Sequence, residues 1–427
     1  MPLMDDYRGD FDPDFELARL SRRALVVLAR EYMLAAHLQD RAGIPQVLIR
    51  HGGDDMRKVA IEEWMGASPI YTPRMQRTFG FVGDDVATIF KGMQLDVGAP
   101  HQFLDFRFRV LDGRNGEFQL PYCGALMDVE PLGEEMVVGM CHEIEDPTFD
   151  ATAVATNPRA RMRPIHRPPR RPADRLPHCH WRVTIEPDVE PVHEIALTDE
   201  IRKSRLARLP LPSAKPAEPG GWRDYAGPFD PDFQLEDFSH DALQKAAAEF
   251  CVQGHLLVRA LMMSVAARWG EEDARVIGGA QWVGIAGLAA ERVRRALAIE
   301  GDDAAAIAKL LQVHPSFHPR SYADLHVALD GDVVRCWLDD CDALREGDSF
   351  SWFALLGETP HRALDAIVRT VNPRARCRPA DVRGARVAWA VEIDPTADPA
   401  PEPAEVKLTK YSKGATFEFV PRRPLRS

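Results

Sequence analysis

Tyr7–Leu17 reads YRGDFDPDFEL and Tyr225–Leu235 reads YAGPFDPDFQL. The stretches lie 218 residues apart, and the same offset holds without a gap well beyond them. Glu31 falls on Glu249, His37 on His255, Arg41 on Arg259 and Trp64 on Trp282. Gly83-Asp84-Asp85 falls on Gly301-Asp302-Asp303, Asp112-Gly113 on Asp330-Gly331, and Cys123 on Cys341. After a short deletion, NPRARMRP from Asn157 matches NPRARCRP from Asn372, and Trp181 then falls on Trp389. Matches in so fixed a register make the chain two copies of one unit. The first repeat covers residues 1–212 and the second 213–427, joined in the Pro- and Gly-rich stretch Leu209–Gly221.

Each copy has the same coarse layout. After the FDPDF lead-in, Ser21 and Ser239 can cap a first helix, with Ala24–Ala42 and Ala242–Ala260 as its apolar-rich body. A second helical region carries Trp64 and Trp282; Pro69 and Pro73 are expected to break it in the first copy. Asp84 and Asp302 are candidate caps of a short third helix. The period then changes. Phe103–Leu111 and Tyr322–Leu329 alternate as strands, followed by Asp-Gly, a hairpin signal. Glu135–Met140 and Phe350–Leu356 are expected to be further strands, each before a helix that stops ahead of Asn-Pro. Final strands lie near Trp181–Ile185 and Val387–Ile393. Helices first, then a small antiparallel sheet, is an α+β unit. Two such units in one chain are expected to pack as a pseudo-dimer.

Composition narrows the class. The chain has 427 residues, long enough for two or three domains, and its net charge of -12 argues against phosphate neutralisation by Lys and Arg. No nucleic-acid partner is expected. No apolar run has the length of a membrane span, and the acidic N-terminus lacks an apolar signal region. A cytoplasmic protein without a membrane partner is the expectation, with a homo-oligomer left open. The seven cysteines are sparse and odd in number, which fits reduced thiols better than a disulfide framework.

Chemistry concentrates between Cys141 and Trp181. That stretch holds Cys141, His142, Glu143, His166, His178, Cys179 and His180. Thiolate and imidazole are the usual ligands of zinc, and soft ligands also suit iron. The candidate metal set is Cys123, Cys141, His142, His166, His178, Cys179 and His180. Cys141 and His142 are expected to end a strand, with Cys123 on a neighbouring one. The spacing contains neither a CxxC pair nor HExxH. The competing reading is a polar loop with buried free thiols and solvated arginines. Cys141 and His142 fall on Leu356 and Gly357, and His166 on Asp381; the HRPPRRPADRLPHCH segment has residues that the second copy lacks. An active first copy beside a structural second copy follows.

Three further residues are candidate acid–base groups: Glu63, Glu143 and His37. Glu62-Glu63 falls on Ala280-Gln281 and sits beside Trp64, which suits a ligand, a base or a solvated helix face. Glu143 falls on Glu358, which argues for structure, whereas Glu145 and Asp146 fall on Pro360 and His361 and stay open. His37 and Arg41 are one turn apart and recur in both copies, which favours a structural role such as a buried ion pair. No Walker motif, GxGxxG or GxSxG is present.

Cys123 in LPYCGAL, Cys141 and Cys179 in PHCHWRVTI carry a resemblance to the L-2-amino-thiazoline-4-carboxylate hydrolase-like group and the small-molecule-binding domains near the vinyl-reductase family. The resemblance spans most of each copy on short motifs. It implies hydrolysis of a small heterocycle or amide, or binding of a hydrophobic small molecule. The His- and Pro-rich segment departs from that family's pattern. The expectation is an enzyme acting on a small-molecule substrate by metal-assisted hydrolysis or lyase-type chemistry, with zinc or iron as cofactor. The alternative is a non-catalytic binding or sensor protein.

Overall fold

The structure is a computed structural model that describes residues 3–426. In the first repeat α1 (Arg22–His51), α2 (Gly53–Phe79) and α3 (Val86–Met93) precede β1 (Arg107–Val110) and β2 (Asn115–Leu120). A helical run follows: α4 (Gly124–Val129), α5 (Glu134–Val138), a π-helical turn Gly139–Ile144, and α6 (Glu145–Val154). β3 (Ala160–His166), β4 (Cys179–Ile185) and α7 (Ala196–Ile201) complete it. The second repeat gives α8 (His240–Trp269), α9 (Glu271–Ala296), α10 (Ala304–Gln312), β5 (Leu325–Asp330), β6 (Val333–Leu338), α11 (Arg362–Arg369), β7 (Ala375–Pro379), β8 (Val387–Ile393) and α12 (Ala404–Thr409). The fold is α+β. The two four-stranded antiparallel sheets have the orders β1-β2-β4-β3 and β5-β6-β8-β7.

Local signals account for the helix starts. The Ser21 and Ser239 side chains accept from the backbone N–H groups of Ala24 and Ala242. α3 and α10 are capped by Asp85 and Asp303, one residue past the expected Asp84 and Asp302. Gly52 and Gly270 join each pair of long helices at φ of 86° and 92°, where a side chain would be strained. The β5–β6 hairpin closes with Asp330 opposite Val333, Gly331 supplying a φ of 60°.

Contacts between the repeats are reciprocal. Each lead-in packs on the other repeat: Tyr7 N–H donates to Leu297 O, and Tyr225 N–H to Phe79 O, both at 2.7 Å. The Tyr7 hydroxyl reaches Gln312 at 2.7 Å, and that of Tyr225 reaches Gln94 at 2.9 Å. α1 packs on α8 and α9, and α2 on α8, so the long helices of both repeats share one buried layer. α8 is long and apolar enough to cross a membrane by length and composition, but most of it is buried in that layer.

Three expectations are corrected. α2 is unbroken through Pro69 and Pro73. A proline removes the hydrogen bond to the carbonyl four residues back, and the Met65 carbonyl freed by Pro69 accepts instead from the Thr198 hydroxyl at 3.2 Å. Glu135–Met140 is helical, not a strand, and Phe350–Leu356 forms a 3-10 turn at Trp352–Leu355. Cys123 leaves β2 and caps α4, its thiol accepting from Leu126 N–H at 3.3 Å.

Candidate functional site

A cavity of about 490 Å³ opens in the first repeat, between α1, α2 and the α4–α6 run, with Leu408 of α12 and Tyr411 just beyond it closing one side. The volume suits a small organic molecule. Its walls are mostly apolar: Ile44, Leu48, Met56, Leu104, Met136, Met140 and Phe149. Ile49 and Leu132 also line it and are exposed, so the cavity reaches the surface there. The π-helical turn forms part of its wall through Gly139, Met140 and Ile144. Such turns recur at functional sites.

The polar groups on this wall are few. Asp40 on α1 is 8% exposed; one of its oxygens accepts from the Trp64 indole N–H at 3.0 Å. Its other oxygen, and both oxygens of the fully buried Glu63 behind it, have no N–H or O–H donor in the structure. The Asp40 charge bears on Glu63, and a proton on either acid relieves that repulsion. Burial is the main cause pushing Asp40 up to about 6, partly opposed by the nearby Arg41. Burial, and next the Asp40 charge, push Glu63 well above the usual carboxylate range. The two acids therefore titrate as a pair.

His37 and Arg41 flank this pair on α1. Burial, then the Arg41 charge, hold His37 well below the ordinary imidazole value, so it is neutral at physiological pH. The Arg41 guanidinium lies 3.3 Å from the His37 Nε2 and donates to Asp128 at 3.0 Å. Asp128 also accepts from the Ser412 hydroxyl at 2.7 Å and the Lys413 N–H at 2.6 Å, both from the second repeat. Glu145, half-buried at the start of α6, lines the cavity too. Burial pushes it up to about 8, against the lowering effect of Arg167.

The second repeat has no such arrangement. Asp40 falls on Val258 and Glu63 on Gln281, both buried. In the register that sets Cys141 on Leu356, Val137 and Val138 fall on Trp352 and Phe353. Trp352 stacks on Trp282 at 5.7 Å, and Trp352 and Phe353 pack against His255, at 5.9 and 5.6 Å. Bulky aromatic rings thus stand where the first repeat has two valines.

The proposed metal set is not brought together. Among the described residues, no three His, Cys, Asp or Glu side chains are grouped to hold an ion. Cys141 and His142 lie in the π-helical turn and not at a strand end, and none of the seven lines the cavity. The imidazoles have other partners. His142 Nε2 is 2.7 Å from Pro168 O, His178 Nδ1 accepts from Cys123 N–H at 3.1 Å, and His180 pairs with Glu117 at 3.2 Å. His166 sits beside His180, their rings 6.2 Å apart. Cys123, Cys141 and Cys179 are buried, and burial pushes their thiols up, Cys123 to about 12.

Of the acid–base candidates, Glu63 and His37 join the site. Glu143 does not: it is exposed and pairs with Arg57 at 2.7 Å, as Glu358 does with Arg275 at 2.5 Å in the second repeat. Asp40 escaped the sequence reading. The available signal was an acid falling on Val258 within an otherwise matching helix. The inserted segment also has a place. Arg167 pairs with Asp146 at 2.5 Å, Arg170 with Glu130 at 2.6 Å and Arg171 with Glu134 at 3.0 Å. It straps the helical wall of the cavity, where solvated arginines were one expectation. Compared with known protein families, curated proteins and solved structures, the chain matches none.

Proposed function

We propose that the first repeat holds a small, largely apolar organic molecule in its cavity and performs acid–base chemistry on it, with Asp40 as the group that meets the ligand. The observation that carries this reading is the Asp40–Glu63 pair: two buried acids lacking other donors for three of their oxygens, one of them on a cavity wall. Paired carboxyls are costly to bury, and perturbed acids in an apolar cavity are the usual mark of a functional site. In this scheme Glu63 stays protonated and Asp40, raised to about 6, exchanges a proton with the ligand near neutral pH. The second repeat serves as scaffold, and its C-terminal segment supplies Tyr411 to the cavity.

A binding module without turnover is the second reading, and the burial of Glu63 away from the cavity surface favours it. Native mass spectrometry of the purified protein against a panel of small apolar compounds tests both. Retention that disappears in Asp40→Asn supports the site. Turnover of the retained compound, absent in the same variant, selects the enzyme reading. Retention that is indifferent to Asp40 would remove the site from consideration.

A further inference from the structure

We propose that the molecule held in this cavity is a protonated amine on an apolar body. This rests on the cavity being a ligand site at all. The charges on the wall do not balance. Its two cations are already matched outside the cavity: Arg41 by Asp128 at 3.0 Å, and Arg57 by Glu143 at 2.7 Å and by Asp54. His37 is neutral. Asp40 and Asp96 face the same space, whereas Glu145, the third acid on the wall, is raised to about 8 with Arg167 nearby and adds no charge at neutral pH. Asp96 is served by dipoles only, the Gly98 N–H at 2.7 Å and the Tyr71 hydroxyl at 3.1 Å. Asp40 has one oxygen with no donor while more than nine-tenths buried.

A cation is the complement this wall lacks. Inside a cavity of low polarity an ammonium beside Asp40 gains more than it would in water, and an added carboxylate would meet uncompensated negative charge. The ammonium can donate to the open Asp40 oxygen, a charge-assisted bond. Trp64, whose N–H is tied to Asp40, also lines the cavity and offers an aromatic face to a cation. The apolar remainder of the wall takes the hydrocarbon part of the ligand.

Three probes share one apolar body and differ in head group: tryptamine, tryptophol and indoleacetate. Isothermal titration of the full-length protein with each separates the possibilities. The expected order is tryptamine tighter than tryptophol by about tenfold or more, the worth of one charge-assisted hydrogen bond, with indoleacetate weakest. Asp40→Asn should abolish the preference for tryptamine over tryptophol. Equal binding of tryptamine and tryptophol, or a preference for indoleacetate, overturns the amine assignment while the cavity remains a ligand site. Binding of none of the three overturns both. Thermal melting of Asp40→Asn, and of Glu63→Gln as a second variant, shows whether each is folded.

Discussion

Arg74 on α2 and Glu249 on α8 form a buried two-point ion pair between the repeats, at 2.7 and 3.1 Å. The same pair recurs in reverse. Arg292 on α9 meets Glu31 on α1 at 2.7 and 3.0 Å, the positions that fall on Arg74 and Glu249. We read this reciprocity as the interface of a two-fold pair retained within one chain. Burial raises Glu249 in spite of the lowering by Arg74, so desolvation consumes much of the attraction. Breaking one pair is therefore far more harmful than deleting both partners. Arg74→Ala should lower unfolding stability by about 3–5 kcal/mol, measured by urea titration. Arg74→Met with Glu249→Leu should recover most of it. Equal losses in the single and double variants would contradict this.

His178 has a structural task in place of the ligand role suggested by its neighbours. Its Nδ1 accepts from the N–H of Cys123, the residue that caps α4. Removing a buried acceptor leaves that N–H unpaired, at a cost of about 1–3 kcal/mol. His178→Ala should lower the melting temperature accordingly, and added zinc should not restore it. A variant that melts like the parent would return His178 to the list of free ligands.

The strap of the inserted segment gives a separate test. Arg170 is largely buried and makes two contacts to Glu130, at 2.9 and 2.6 Å. Arg170→Ala should cost only about 1 kcal/mol, yet it should raise hydrogen exchange across Glu134–Val154, the wall that the strap covers. Unchanged exchange there would mean that the insertion does not support the cavity.

Much of the fold was legible because it was written twice. The repeat register, the serine caps and the Asp-Gly hairpins all depend on a few residues close in sequence. The helical run at Glu134–Val154 was not legible. Its residues Val137 and Val138 read equally well as strand, and in the fold they form α5, which continues into the π-helical turn and α6 packed on α2. Pro69 misled for a similar reason: the Thr198 hydroxyl that rescues the helix lies far away in the chain. For the site, Glu63 and His37 could be selected by residue type, but their shared cavity could not. The Cys and His cluster was dense in sequence, whereas in space His142, His178 and His180 each have a different hydrogen-bond partner.

Stability should depend on pH through Glu145. Its value rises from 4.5 in the unfolded chain to about 8 in the folded protein, mainly by burial, with Arg167 opposing and Asp146 adding to it. The buried thiols of Cys123, Cys141 and Cys179 also lie near its charge. Between the two values the folded state holds a proton that the unfolded state has lost. The stabilisation is complete below pH 4.5 and is lost as pH rises through about 8. The melting temperature should fall across that window, and Glu145→Gln should flatten the fall. Asp40, raised to about 6, adds a smaller fall that ends earlier. A melting temperature that climbs from pH 5 to 8 equally in both proteins would show that Glu145 is not held protonated.

Filling the cavity distinguishes open space from ordinary core. Ala60 on α2 lines the cavity, and its counterpart on α9 is Gly278. Around Gly278 the packing is tight: an added Cβ would come within 2.7 Å of the Met262 sulfur. A phenylalanine there overpacks the core, at about 1–3 kcal/mol or more. At Ala60 the new ring enters space that holds no protein atoms and buries apolar surface against Met56, Met136 and Met140. Ala60→Phe should therefore melt at or above the temperature of the parent, while Gly278→Phe melts well below it. The same Ala60→Phe variant should bind cavity ligands at least about tenfold more weakly, because ring and ligand compete for one volume. Equal destabilisation by the two substitutions would show that the first repeat is as tightly filled as the second, and the asymmetry between them would lose its physical basis.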